Sequence, residues 1–301
     1  MKTGFVAVLG KTNVGKSTLI NALLGKAILI TSPKPQTTRN RIKAILHLKD
    51  GQIILLDTPG LHKPIDLMGK YMIKVAKETI REDVDLIIWM MEPEEFLSGK
   101  GIKLWEEIIN PYPEYREKSI WVINKWDVTP DNIRNAVIEK KNKLSMEIII
   151  ISALKAEGLD DLISKIMEKL PEGPQYYPED MQVDKPNEFI ASEIIRESVI
   201  LRTHQEVPYS VAVRVKDFED KGKLIYIYAQ IFIERDSQKG IIIGKSGAMI
   251  KEIGTYARQK LEDIFGKKVY LELNVKVKKK WRKSPDSIKY MGYNETNLKN
   301  L

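Results

Sequence analysis

GKTNVGKS, residues 10–17, follows a short apolar strand read over residues 5–9 and opens a helix read over residues 17–24. A glycine-bounded turn between a strand and a helix N-terminus is the setting in which backbone N–H groups converge on phosphate oxygens. Gly10 and Gly15 let the backbone of Lys11, Thr12, Asn13 and Val14 turn inward. Lys16 is placed to reach the β- and γ-phosphates, the Ser17 hydroxyl to ligate Mg²⁺, and Thr18 follows as the next residue of the helix. The expectation is a nucleoside triphosphate site requiring Mg²⁺.

Outward from this loop the chain alternates strand-like and helix-like segments. Strands are read at residues 42–48, 52–56, 85–91, 118–123 and 147–151, and helices at 70–81, 101–109, 132–144 and 159–170. The strands are nearly continuous runs of β-branched and apolar residues, which need cover on both faces. The predicted first domain is therefore α/β, a mostly parallel sheet with helices on both sides.

Further short motifs fall at the ends of these strands. NKWD (residues 124–127) follows the strand at 118–123. The Asp127 carboxylate can accept from both N1–H and the 2-amino group of guanine, donors that adenine lacks. A site built on such bonds rejects the wrong base by roughly 10⁴-fold. The Lys125 stem is placed to cover the base, and Asn124 to brace the loop. SAL (Ser152, Ala153, Leu154) follows the next strand, where the Ala153 N–H is placed to meet the guanine O6. DTPG (Asp57, Thr58, Pro59, Gly60) ends the second long strand; Asp57 is placed to hold Mg²⁺ through water and Gly60 to offer its N–H to the γ-phosphate. The polar stretch TSPKPQTTRN (residues 31–40) contains Thr37 and Thr38, either of which can ligate Mg²⁺ while the γ-phosphate is present. Thr38 is preferred, so the expected metal ligands are Ser17, Thr38 and Asp57. The bound species are read as GTP and GDP, and the activity as GTP hydrolysis.

PEGPQYYPED (residues 171–180) cannot extend a helix or a central strand. The expected division is a GTPase domain over 1–172, a linker over 173–186, a nucleic-acid-binding domain over 187–280 and a tail over 281–301. The second domain is read as helix (187–201), strand (209–215), strand (224–232), a short apolar turn, helix (248–265) and strand (269–277), a small α+β fold. Its turn IIIGKSGAMI (residues 241–250) contains Gly244, Lys245, Ser246 and Gly247, a GxxG. Ile241, Ile243 and Ile250 are read mainly as core, with Ile243 also a candidate for lining the base groove. Lys251 follows on the helix. The segment KVKKKWRK (residues 276–283) sets six basic residues, including Lys278, Lys279, Lys280 and Arg282, around Trp281, which is read as a base-stacking ring.

Charge supports this division. Of the net +8, residues 187–301 hold 22 Lys and Arg against 15 Asp and Glu, and residues 1–186 hold 27 against 26. A polyanionic partner for the second half is expected. There is no cysteine, which excludes disulfides and thiolate sites, and the three histidines (His47, His62, His204) are scattered. No apolar run approaches the ~20 residues that span a bilayer. The expectation is a soluble cytoplasmic monomer, with peripheral contact on the inner membrane face through the basic segment as the alternative reading.

GKTNVGKS, PQTTRN, DTPGLHKP, NKWD and SAL together resemble the translation-factor-related bacterial GTPases, most specifically the Era family, over nearly the whole chain. The order around GKSG is similar to a type II KH domain, in which the two glycines let the backbone clamp about four nucleotides. The resemblance implies binding of the 3′ end of 16S rRNA and a role in small ribosomal subunit assembly. It further implies K⁺ held beside the phosphates by Asn13. Leu61 stands where Ras-like G proteins carry a water-orienting glutamine, so slow intrinsic turnover is expected, about 10⁻⁴ to 10⁻² s⁻¹.

Overall fold

The computed structural model describes residues 1–81 and 84–293. The chain divides into two compact units. The first comprises Met1–Lys26, Thr38–Lys63 and Met72–Asp184. The second comprises Ala27–Thr37, Pro64–Tyr71 and the chain from Lys185 onward. Two short segments that lie in sequence among the elements of the first unit are thus packed within the second. Sequence patterning gave no sign of this.

The first unit is built on six strands: β1 (Lys2–Gly10), β2 (Ile42–Leu48), β3 (Gly51–Asp57), β4 (Leu86–Met91), β5 (Ser119–Ile123) and β6 (Ile148–Ile150), in the order β2-β3-β1-β4-β5-β6. All neighbours are parallel except β2 and β3, which pair antiparallel through a two-residue connection too short for a crossover. Every residue of β3, β4 and β5 is buried, as the continuous apolar runs require. One face packs Leu9, Ile54, Ile87, Trp89 and Ile123 against Ala76, Ile80, Trp105 and Val137 of the covering helices. These helices include α2 (Leu67–Arg81), α4 (Lys100–Ile109) and α5 (Asp131–Asn142); α1 (Lys16–Leu24) and α6 (Leu159–Lys169) complete the main set. A five-residue helix, α3 (Pro93–Leu97), was not anticipated; Pro93 at its start and the Glu92–Glu95 capping box explain it.

From β1 the chain crosses through α1 to β2 and β3 on one side, and from β3 it returns past β1 through α2 to β4 on the other. The C-terminal ends of β1 and β3 therefore border the crevice where a doubly wound sheet binds its ligand. The proline-rich stretch after α6 is not a free tether. Ile45 donates its N–H to Gln182 O (2.8 Å), Asp184 to Lys43 O (3.0 Å), and Gln52 Nε2 to Tyr177 O (2.8 Å). It covers the otherwise open edge of β2.

In the second unit the order is α7 (Asn187–Arg202), α8 (Val207–Ser210), β7 (Ala212–Asp220), β8 (Leu224–Ile233), α9 (Asp236–Ile243), α10 (Ala248–Phe265) and β9 (Lys268–Val277). β7 pairs antiparallel with β8, and β8 parallel with β9. Ile225, Ile227, Ala229, Ile231, Val269 and Val275 face Ile194, Val199, Ile253, Ala257 and Leu261, so the helices cover one face of the sheet. Two expectations are corrected. The short apolar turn before GKSG is helix α9, whose first turn is stabilised by Gln238 accepting from the N–H groups of Glu234 and Arg235. The strand expected from residue 209 starts at Ala212, because residues 207–210 form α8 with Pro208 in its first turn. Beyond β9, residues 281–283 make a single 3₁₀ turn and α11 (Pro285–Tyr290) follows. Of the expected tail, residues 294–301 lie outside those described. No described helix is long and apolar enough to cross a membrane.

Candidate functional site

The phosphate loop is held open by two glycines that admit no side chain. Gly10 has φ +148° and a Cβ there would stand 2.5 Å from Met90 O; Gly15 has φ +98° and a Cβ would stand 2.3 Å from Asn124 Nδ2. Asn13 adopts φ 66° at the exposed apex. Lys16 is buried and its ammonium donates to Lys11 O (2.8 Å) and Gly10 O (3.3 Å), inside the loop's own concavity. Burial lowers its pKa to about 8, partly opposed by Asp57 and Glu95. A polyphosphate in the cradle would supply the missing counter-charge.

Three oxygen-bearing side chains converge beside it. Ser17 Oγ donates to Asp57 Oδ2 (2.7 Å) and lies 2.9 Å from Thr38 Oγ1, which is itself 3.4 Å from Asp57 Oδ2. Burial raises the Asp57 pKa to about 6, against hydrogen bonds from Ser17 and Thr38 and the charge of Lys16. Asp57 Oδ1 is buried with no hydrogen-bond partner among the described residues. An orphaned carboxylate oxygen next to two hydroxyls is a hard, all-oxygen donor set, which fits Mg²⁺. Between the two threonines the structure brings Thr38 to this cluster; Thr37 Oγ1 turns away to donate to Lys34 O (2.7 Å).

Thr58 and Pro59 lead from Asp57 to Gly60, with Thr58 Oγ1 anchored on Val8 O (2.7 Å). Gly60 packs directly on the phosphate loop, where a Cβ would lie 2.5 Å from Thr12 Cα. The next N–H, that of Leu61, donates to Gly10 O (3.0 Å). The Leu61 side chain is only 6% exposed and belongs to the apolar core.

The loops expected to read the base, NKWD and SAL, are tied to the same cradle. Asn124 Nδ2 donates to Val14 O (2.8 Å), and Asn124 Oδ1 accepts from the Ala153 N–H (2.9 Å). The donor expected to reach the guanine O6 is thus engaged by Asn124 here. Ser152 Oγ donates to Asp127 Oδ1 (2.7 Å), which orients the carboxylate while leaving lone pairs for two further bonds. Lys125 has a left-handed backbone (φ 66°) and its ammonium is paired with Glu92, so its stem is fixed in direction. Leu154 is exposed beside them. Glu92 carried no sequence signal; its role depends on β4 ending beside β5.

In the second unit Gly244 takes φ 71° and a Cβ would lie 2.7 Å from Met249 Cβ, whereas nothing stands within 4 Å of a Cβ on Gly247. Gly244 is needed for the helix to follow closely, and Gly247 leaves its backbone open to an approaching strand. Lys245 and Ser246 are exposed between them, Ser246 in the left-handed region (φ 51°). Ile243 and Ile250 are partly buried on the core, but Ile241 is 46% exposed. Lys251 lines a recess of about 410 Å³ with Arg202, Thr255 and Tyr256. The stacking ring read at Trp281 is corrected: it is 0% exposed, packs on Tyr293 and donates its Nε1–H to Ser210 O (2.7 Å). Arg282 is also committed, to Glu234 (2.9 Å) and Asp66 (3.2 Å). Lys278 is partly buried, and Lys279 and Lys280 are exposed.

A phosphate-loop cradle with an all-oxygen cluster suited to Mg²⁺, bordered by the NKWD and SAL loops and joined in one chain to a GxxG-bearing α-α-β-β-α-α-β fold, is the make-up of a GTPase that carries a KH domain. Residues 5–125 match the family model described as 50S ribosome-binding GTPase, and residues 206–282 match the KH domain. The GTPase Era of Thermotoga maritima is 49% identical over 286 residues, 94% of each chain. That of Caldicellulosiruptor saccharolyticus is 48% identical over 299 residues, 97% of this chain and 98% of its own. The crystal structure of Era in complex with MgGDPNP and nucleotides 1506–1542 of 16S ribosomal RNA matches with a TM-score of 0.90 at 41% identity, covering 97% of this chain and 99% of that one. A variant of Aquifex aeolicus Era bound to GDP·AlF₄⁻ matches equally well. The chain belongs to the GTPase Era family.

Proposed function

We propose that this GTPase holds a single-stranded segment near the 3′ end of 16S rRNA through its GxxG turn, and couples that grip to GTP hydrolysis during small ribosomal subunit assembly. The observation that carries the reading is the near-complete match, across both halves, to an Era captured with a GTP analogue and 16S nucleotides 1506–1542. The family description of residues 5–125 mentions the 50S subunit, but it leaves out the KH half that would touch RNA.

In the proposed mechanism Lys16 and the loop N–H groups bind the phosphates, and Asp127, held by Ser152, reads the guanine edge. Ser17, Asp57 and Thr38 would hold Mg²⁺, and the bound ion would supply neutralisation of phosphate charge. Gly60 abuts the loop where its N–H can follow the γ-phosphate. Leu61 supplies no hydrogen bond to water, so positioning of the nucleophile falls to backbone groups or an ion. We read Asn13, at the exposed apex of the loop, as the candidate to hold K⁺ there. Equal hydrolysis rates in KCl and NaCl would remove that role.

Coupling is supported by the chain path. Thr38 stands with Ser17 and Asp57, while the preceding residue belongs to the second unit, where Arg196 Nη2 donates to Thr37 O (2.6 Å) and Glu197 Oε1 accepts from the Thr31 N–H (2.9 Å). In this reading a movement of Thr38 with nucleotide state would be passed along the chain to a segment hydrogen-bonded to α7. RNA crosslinking followed by sequencing, with GDP and with a non-hydrolysable GTP analogue, tests the reading. Crosslinks at GKSG to the 3′ end of 16S rRNA, differing in yield between nucleotides, are expected. Identical yields would remove the coupling, and crosslinks elsewhere would remove the target.

A further inference from the structure

The basic segment after β9 was read around Trp281, yet that ring is in the core. The cations gather instead around Tyr290. Lys278 Nζ lies 4.3 Å from the Tyr290 ring centroid, the Arg214 guanidinium carbon 4.4 Å and Lys216 Nζ 5.8 Å. Arg214 also donates to Tyr290 O (2.9 Å), which fixes the guanidinium to the end of α11. None of the three cations forms an ion pair with a carboxylate among the described residues.

The register places this cluster on the sheet face turned away from α7, α9 and α10. Arg214 pairs with Gln230 and Lys276 with Phe232, and these two β8 residues alternate with the core residues Ala229, Ile231 and Ile233. Tyr290 packs edge-on against Phe232, with centroids 6.0 Å apart, and remains 39% exposed. Lys216 is the extra residue at the irregularity between Val215 and Asp217, which turns it toward the same ring. Three like charges assembled on one aromatic surface repel one another, and an anion with regularly spaced charges relieves that repulsion.

We propose that this outer face is a second RNA-contacting surface, in which Tyr290 gathers Arg214, Lys216 and Lys278 to bind phosphates of the strand flanking the segment held at GKSG. RNA is favoured over a lipid surface because, among the described residues, the side chains that meet at this patch are three cations and one aromatic ring, Tyr290, with no aliphatic side chain in the cluster. The inference rests on the RNA-binding reading of the KH domain and extends it to the opposite side of the sheet.

The test compares two RNAs by fluorescence anisotropy across a salt series, using the full chain: 16S nucleotides 1506–1542, and an oligomer of about ten nucleotides from its 3′ end, which exceeds the ~4 nucleotides a KH turn clamps. Lys216→Gln/Lys278→Gln should weaken the long RNA by about tenfold and flatten its log–log salt slope by ~1.4, two contacts at ~0.7 each, while leaving the oligomer unchanged. Tyr290→Phe, which keeps the ring, should bind like the parent; Tyr290→Leu should weaken the long RNA at unaltered charge, with thermal unfolding showing that the domain is intact. Unchanged affinity and slope for the long RNA would overturn the proposal, as would equal weakening of both RNAs. Loss of binding to phosphatidylserine vesicles with RNA binding intact would assign the patch to lipid instead. Gly244→Asp/Gly247→Asp should abolish binding of both RNAs; if it does not, the failure lies with the clamp reading and not with this surface.

Discussion

At the scale of single residues, the site depends on a few side chains whose neighbours leave them little choice. Asp127 is oriented by Ser152, and its replacement by alanine should cost GDP affinity roughly 3 kcal/mol, about two orders of magnitude, from two lost bonds to a charged acceptor. Calorimetric titration checks this. Leu61 is instructive in the opposite way. Because its side chain lies in the core, Leu61→Gln should lower stability by about 1–3 kcal/mol through an unpaired buried amide without accelerating single-turnover GTP hydrolysis. Asp57, raised to about 6 from 3.8 by burial, takes up a proton on folding in the metal-free protein. Its contribution to stability is therefore present at acid pH and is lost as pH rises from about 4 to 6. Mg²⁺ needs the carboxylate, so its affinity runs the other way, falling nearly tenfold per unit below about pH 6. Measuring Mg²⁺-dependent GDP affinity at pH 5 and pH 7.5 tests the sign.

At the scale of elements, the motifs were legible because each sits where a strand ends and the backbone must turn. GKTNVGKS, DTPG, NKWD and SAL needed only their order and their strands to be placed, and Ser17, Asp57 and Thr38 do meet. Local conflicts were not legible. Residues 236–243 carry Gly240 and three consecutive isoleucines, poor helix formers, and form α9 because Ile242 is buried against the core and Gln238 caps the start. Trp281 looked like an exposed ring because lysines surround it in sequence, but a 3₁₀ turn swings it inward onto Ser210 and Tyr293. Gly15 is the element-level test. With φ +98° and Asn124 Nδ2 in the way of a Cβ, Gly15→Ala should both strain the loop by about 1–3 kcal/mol and dislodge the tie from Asn124 to Val14. Nucleotide binding should fall well beyond the loss of thermal stability.

For the whole molecule, the finding that sequence could not supply is the partition of the chain. Ala27–Thr37 and Pro64–Tyr71 pack with the second unit, a matter of long-range contacts that no local pattern encodes. Arg196, buried and bonded to both Glu193 and Thr37 O, is one of those attachments. Arg196→Lys keeps the charge and loses the two-pronged geometry. It should leave RNA affinity in the GDP state near that of the parent while shrinking the difference between the GDP and GTP-analogue states several-fold. The reverse pattern would mean that Arg196 serves only the core.

The most direct measurement exchanges the base that the pocket reads. Xanthine presents a carbonyl where guanine has its 2-amino group, so Asp127→Asn, which converts an acceptor into a donor, should invert preference from GDP to xanthosine diphosphate in competitive titration. Retention of GDP preference by that variant, with xanthosine diphosphate still rejected, would contradict the assignment of residue 127 as the reader of guanine.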